Sequence, residues 1–183
     1  MSARLDPGRA ALVVVDVQDG FRPAIPGFDR IAAAAATMVR GAAAMDVPIV
    51  VTEQYPKGLG PTVPEVAEHL PDGVEPLAKT AFSAASADGF ALGGREQAIV
   101  CGVEAHVCVN QTVLDLLDDG VEVHVVADAV GSRSESDRDL GLAKAERAGA
   151  WVTSVETALF ELLGEAGTDR FKDVQRLVLE YAP

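Results

Sequence analysis

Residues 98–118 read AIVCGVEAHVCVNQTVLDLLD and predict a buried strand, a turn and an amphipathic helix. The apolar strand ends at Gly102, and Cys108 follows near the start of the helix. The first N–H groups of a helix carry the positive end of its dipole, so we expect a thiolate there to be stabilised and its pKa lowered. Cys108 is therefore a candidate nucleophile. The alternative interpretation, that it is a small buried residue of the core, explains its position equally well. Cys101, inside the apolar strand, is better explained as a core residue.

The rest of the chain alternates strands with helices. AALVVVD at residues 10–16 is a β-branched run typical of a strand buried on both faces of a parallel sheet, and it ends at Asp16. Pro76 restricts residues 74–80 to an edge strand ending at Lys79. Further strands are predicted over 48–52, 121–128 and 151–154, and helices over 28–45, 134–148, 155–163 and 168–180. Residues 83–94 predict a short helix and a turn at Gly93-Gly94, and residues 17–27 and 53–63 predict loops. This alternation predicts an α/β fold whose six-stranded, mainly parallel sheet carries helices on both faces.

Three chemically capable side chains follow strand ends in this scheme. Ligands of such sheets bind beyond the carboxyl ends of the strands, and Asp16, Lys79 and Cys108 each lie at or just past one. A thiol needs a partner that takes its proton before it attacks, and a carboxylate serves for this. Taken singly, Asp16 is explained as well by a role in a turn as by a catalytic role. Lys79 taken singly is better explained as a surface lysine than as a catalytic residue. Together the three predict a nucleophilic site.

Composition limits the class of protein. The 183 residues suit one domain spanning 1–183. A net charge of −13 argues against nucleic acid or an anionic membrane as a partner. Two cysteines are too few for a disulfide framework, and the start of the chain lacks an apolar signal core, so we expect a cytoplasmic protein.

Five ordered blocks of this sequence resemble the isochorismatase-like cysteine hydrolases, and most closely the branch of isochorismatase-domain-containing proteins. They are VVVDVQDGF, VTEQYPKGLGPTVPE, KTAFSA, VCGVEAHVCVNQTVLDLL and VEVHVVADAVGSRSESDRD. The resemblance implies a Rossmann-like three-layer sandwich, homo-oligomers, and a catalytic triad of Asp16, Lys79 and Cys108. It also implies a cis peptide between Val103 and Glu104, in a turn whose N–H groups near Ala105 and Cys108 would stabilise an oxyanion.

Two departures from the family narrow the expected chemistry. Relatives that cleave the vinyl ether of isochorismate lack the cysteine, so Cys108 favours acyl hydrolysis. The nicotinamidase branch has metal-binding histidines after its second strand, where this chain has none. Its three histidines, His69, His106 and His124, lack ligand spacing, so no metal and no other cofactor is expected.

The expected substrate is a small amide, N-carbamoyl or related acyl compound, cleaved through a thioester. Phe21 and Phe82 are candidates to sandwich a planar acyl group, Gln54 and Glu104 to hydrogen-bond an amide, and His106 to line the pocket. Gln18 and Arg133 are read as structural. Three other classes remain open: a catalytically idle interaction subunit, a redox-responsive thiol protein, and a flavodoxin-like phosphate or nucleotide binder.

Overall fold

A six-stranded sheet forms the centre of the protein in a computed structural model that describes residues 4–181. The strands are β1 Ala10–Val15, β2 Ile49–Gln54, β3 Leu77–Lys79, β4 Gln97–Val103, β5 Glu122–Gly131 and β6 Trp151–Thr153. Their spatial order is β3-β2-β1-β4-β5-β6, and every neighbouring pair is parallel. The predicted six-stranded α/β sheet is confirmed, with β3 at one edge as expected.

Helices cover both faces of this sheet. They are α1 Phe28–Ala44, α2 Pro56–Leu59, α3 Pro64–Ala67, α4 Asn110–Asp118, α5 Glu135–Ala148, α6 Val155–Leu163 and α7 Asp169–Tyr181. Alternate residues of a strand point to opposite faces, so Leu12 and Val14 of β1 pack with α1, α6 and α7, whereas Val13 and Val15 pack with α4 and α5. The central strand is therefore buried from both sides, as its apolar run predicts.

Three local predictions need correction. The short helix expected within 83–94 is only a 3₁₀ turn at Ala84–Ser86, because the following segment bends through positive-φ glycines, and the turn expected at Gly93-Gly94 is present. The edge strand expected over 74–80 is limited to β3. The segments read as loops after β1 and β2 contain a 3₁₀ turn at Asp19–Phe21 and the short helices α2 and α3, whose first residues are prolines already set at a helical φ.

Within residues 4–181, no helix is both long enough and apolar enough to cross a membrane.

Candidate active site

A buried ion pair joins the ends of β1 and β3. Asp16 directly follows β1 with a φ of 54°, a left-handed conformation that is uncommon for a residue with a side chain. Its Oδ2 lies 2.7 Å from Nζ of Lys79, and the two residues are 0% and 6% exposed. Its other oxygen, Oδ1, accepts a hydrogen bond of 2.8 Å from Thr52 Oγ1 on β2. The carboxylate therefore has a single orientation at the carboxyl edge of the sheet.

The Lys79 ammonium is held by acceptors on several sides. Besides Asp16, its Nζ contacts Gln54 Oε1 at 2.7 Å and the backbone oxygens of Phe82 and Ala81 at 2.9 and 3.3 Å. A protonated amine has no lone pair with which to attack, so this environment makes Lys79 a fixed positive charge. Its effect is to hold negative charge close to the site.

Gln54, predicted to bind a substrate amide, has both ends of its side chain engaged by the protein. Its Nε2 donates to Thr80 O at 2.9 Å while its Oε1 accepts from Lys79. The geometry favours a role in positioning the lysine. Gln18, read as structural, supports it: the buried Gln18 Oε1 accepts from the Gln54 backbone N–H at 2.7 Å, and its Nε2 donates to the Gln54 and Gly60 carbonyls.

Cys108 lies opposite this pair, in the turn that follows β4. The peptide between Val103 and Glu104 is cis, where the family resemblance implies it. A π-helical turn over Ala105–Val109 then leads into α4, and Cys108 is 4% exposed within it. Thr112 Oγ1 anchors the turn by donating to the Cys108 carbonyl at 2.6 Å.

Gly102 allows β4 to approach β1 closely just before this turn. Its φ is +118°, and a Cβ built on it would lie 2.0 Å from the Val15 carbonyl oxygen. Val15 immediately precedes Asp16, so this contact helps to bring the cysteine turn near the carboxylate. Gly141 allows α5 to approach the cysteine turn closely, because a Cβ there would lie 2.6 Å from Ala105 O.

The expected lowering of the Cys108 pKa is wrong. The pKa of the thiol is raised to about 12, mostly by burial and further by the negative charge of Asp16 and a hydrogen bond with its carboxylate. The charge of Lys79 and a backbone hydrogen bond from Glu104 act in the opposite direction and are outweighed. Cys108 is therefore a neutral thiol at rest, and the nearby Asp16 carboxylate is suited to take its proton.

Cys101 has no place in this site. It is fully buried and packs with α1 and α6 on one face of the sheet, whereas Cys108 packs on the other face. Burial also raises the Cys101 pKa to about 12. The prediction that Cys101 is a core residue is confirmed, and this separation gives Cys108 no disulfide partner within the described chain.

Glu104 and His106 flank the cysteine turn and contact the segment after β5. The Glu104 carboxylate accepts from the backbone N–H of Arg133 at 2.9 Å and from its Nε at 3.0 Å. His106 Nδ1 lies 3.0 Å from Ser132 Oγ. Glu104 thus links the cysteine turn to the segment that follows β5. Its carboxylate is engaged by Arg133 and is not free to bind a substrate amide as we considered.

The two phenylalanines occupy different environments. Phe21 is partly buried and packs with the core cluster around α1, as a core residue does. Phe82 is 50% exposed, and it is its carbonyl that contacts Lys79. A substrate-binding role for either ring stays a prediction.

The histidines do not form a metal site. His69 is on the surface and His124 is buried on β5. Across residues 4–181 there is no cluster of three or more histidine, cysteine or acidic side chains arranged to hold a metal ion.

Comparison with known proteins agrees with this geometry. Residues 10–157 match the family model described as the isochorismatase domain. The chain belongs to the isochorismatase family. It therefore has the fold of that family of hydrolases, as the five sequence blocks indicated.

Its relatives differ in what they are said to do. Human isochorismatase domain-containing protein 2 is 44% identical over 98% of this chain and 88% of its own. The structure of the MAR1 ribonuclease of Caenorhabditis elegans is 40% identical, with a TM-score of 0.92 over 98% of this chain and 94% of that one. The YcaC protein of Escherichia coli, described as an octameric hydrolase of unknown specificity, is 26% identical, with a TM-score of 0.82 over 99% and 97%.

Proposed function

We propose that the protein is a cysteine hydrolase that cleaves a small amide, N-carbamoyl or related acyl compound through a thioester. The observation that carries the proposal is the buried Asp16–Lys79 pair at 2.7 Å, with the Cys108 thiol near enough to the same carboxylate for its charge to raise the thiol pKa. A nucleophile, a base and an orienting cation are the parts that acyl transfer requires.

In the proposed reaction, Asp16 takes the proton from Cys108 as the sulfur attacks the substrate carbonyl carbon. Backbone N–H groups of the turn near Ala105 and Cys108 stabilise the negative charge that develops on the carbonyl oxygen. The tetrahedral intermediate collapses by breaking the C–N bond, and protonated Asp16 delivers its proton to the leaving nitrogen. Water, deprotonated by the same carboxylate, then attacks the thioester, and the thiolate leaves and regains a proton.

The raised pKa of Cys108 supports this order of events. A neutral thiol is a poor nucleophile, so proton transfer must accompany attack. Asp16 remains paired with Lys79 until substrate is present, and the lysine keeps two potential negative charges close together. Lys79 itself forms no covalent bond.

The test is a screen of small primary amides and N-carbamoyl compounds for ammonia release, using wild type, Cys108→Ala and the matched control Cys101→Ala. We expect turnover by wild type and Cys101→Ala and none by Cys108→Ala, with the fold of each variant checked by circular dichroism. Iodoacetamide labelling read by intact mass is expected to modify Cys108 alone. Wild-type turnover by Cys108→Ala contradicts the mechanism, and an unreactive Cys108 favours an idle interaction subunit.

Ribonuclease activity is a second candidate, because the Caenorhabditis elegans neighbour is 40% identical to this chain. The net charge of −13 opposes it, since phosphate backbones bind basic surfaces. Incubating wild type with labelled single-stranded RNA, beside Cys108→Ala, decides the question. Cleavage by wild type alone assigns it to the same site.

We also propose that the protein is a cytoplasmic homo-oligomer that uses no cofactor. The octameric Escherichia coli neighbour supports assembly, and so do Trp151 and Val152, which are 49% and 42% exposed on the edge strand β6. Phe160 of α6 is 37% exposed and packs partly against Phe171, with ring centroids 6.5 Å apart. Light scattering after size exclusion measures the assembly directly.

A further inference from the structure

The Ser83 hydroxyl is a buried polar group for which the proposed reaction has no use so far. Ser83 is 4% exposed, and its Oγ has no hydrogen-bond partner among the described residues. It occupies the N-cap of the 3₁₀ turn Ala84–Ser86, where a serine side chain commonly accepts a backbone N–H, but it makes no such bond. Two other buried side-chain atoms share this condition, and they belong to Glu122 of β5 and Thr153 of β6.

The neighbours of Ser83 in the chain are linked to the proposed triad, Phe82 directly and Ala84 through Thr112. On one side, the Phe82 carbonyl accepts a hydrogen bond of 2.9 Å from Lys79 Nζ. On the other, the Ala84 N–H donates to Thr112 Oγ1 at 2.8 Å, and that hydroxyl donates to the Cys108 carbonyl. The backbone of Ser83 is thus held from both sides between the ammonium and the nucleophile.

A buried hydroxyl without a partner destabilises the folded state, because it has lost water and gained nothing in return. Alanine at this position would keep both backbone contacts, since they use only the carbonyl of Phe82 and the N–H of Ala84. The hydroxyl therefore has no structural use at a position where its presence is costly. Such groups concentrate at functional sites.

We propose that the Ser83 hydroxyl binds the substrate by hydrogen-bonding the amide or carbamoyl group held against Cys108. This inference rests on the proposed function and adds a residue that selects for a substrate able to hydrogen-bond. A hydroxyl both donates and accepts, so it suits a primary amide, which presents N–H donors and a carbonyl acceptor. Ser83 makes no covalent bond in the reaction.

The first test compares two electrophiles that react with Cys108 in the same way. Acrylamide carries a primary amide and acrylonitrile has no N–H group, so the ratio of their labelling rates cancels the intrinsic reactivity of the thiol. We expect Ser83→Ala to lower the acrylamide-to-acrylonitrile ratio about 3- to 10-fold, the worth of one neutral hydrogen bond. Ser86→Ala, an exposed serine of the same turn, is the matched control and should leave the ratio unchanged.

The second readout is the thermal unfolding midpoint. Removing an unpaired hydroxyl should leave the midpoint of Ser83→Ala equal to or above that of wild type. A lower midpoint would mean that the hydroxyl has a partner inside the protein, and it would overturn the inference.

Different results overturn the role of Ser83 and the cysteine hydrolase function. Equal labelling ratios in wild type and Ser83→Ala, with Cys108 reactive in both, overturn the role of Ser83 and leave the cysteine hydrolase proposal standing. If neither reagent labels Cys108, both the role of Ser83 and the cysteine hydrolase proposal are overturned.

Discussion

Replacing Asp16 with asparagine is expected to lower the pKa of the Cys108 thiol, although it removes the group proposed to accept that thiol's proton. Three influences raise this pKa: burial of the sulfur, which is the largest, the charge of Asp16, and the hydrogen bond with its carboxylate. Asparagine has nearly the same shape but no charge, so it removes the second. The positive charge of Lys79 then favours the thiolate with no charge from Asp16 to oppose it, although burial of the sulfur remains.

The size of the effect follows from the neighbouring charge. A single close charge shifts a pKa by roughly one to three pH units, and each unit is about 1.4 kcal/mol. Burial persists in Asp16→Asn, so we expect a fall of roughly one to two pH units, or about 1.4–2.7 kcal/mol. The thiolate fraction near pH 8 would rise about 10- to 100-fold, while turnover of an amide substrate is lost.

The assay is the rate of iodoacetamide labelling of Cys108 between pH 6 and pH 10, followed by intact mass. For wild type, with a pKa of about 12, the rate should increase tenfold per pH unit without levelling off in this range. Asp16→Asn should react faster at every pH. Asp19→Asn, an exposed carboxylate in the next turn, is the control and should follow wild type.

Two results would refute this reasoning. If the wild-type rate levels off near pH 8 or 9, burial and the carboxylate do not suppress the thiolate. If Asp16→Asn reacts more slowly than wild type throughout, the carboxylate acts as a base toward this reagent more strongly than its charge disfavours the thiolate.

Three further predictions concern stability. Lys79→Met leaves a buried carboxylate unpaired and should lower the free energy of unfolding by about 3–5 kcal/mol. The control Lys57→Met, at an exposed lysine, should be near neutral. Similar urea midpoints for the two variants would contradict this expectation. Gly102→Ala forces a Cβ to 2.0 Å from a β1 carbonyl at positive φ and should prevent folding or cost more than about 3 kcal/mol, while Gly120→Ala, with nothing near its Cβ, should cost about 1 kcal/mol. Both thiols have a folded pKa of about 12. The stability that the two protonated thiols contribute is therefore fully present below the unfolded pKa of about 8.5 and is lost as the pH rises toward 12. At pH 10 the loss should be about 2 kcal/mol per thiol. In urea unfolding, the free energy of unfolding of Cys101→Ala should therefore fall less than that of wild type between pH 8 and pH 10. An equal fall in the two proteins would refute the raised pKa of Cys101.

Much of the fold could be predicted because its signals are local. The β-branched run of β1 and the strand-turn-helix sequence around Cys108 report periodicity within a few residues, and helix alternation then implies parallel strands. That topology brings the ends of separate strands to one edge, so Asp16 and Lys79 could be paired without coordinates. The short helix expected within 83–94 is only a 3₁₀ turn, since local propensity does not show how a glycine-rich segment bends around its neighbours.

The sequence by itself determined the sheet, the edge that carries the site and the chemical groups available there. Only the tertiary structure decided their state: that Gln54 positions the lysine, that Ser83 is buried without a partner, and that Cys108 has a raised pKa. The position of Cys108 at a helix entrance predicts a lowered pKa, because a helix dipole can be inferred from neighbouring residues. Desolvation and the approach of Asp16 depend on residues far apart in the chain, and here they outweigh the local effect.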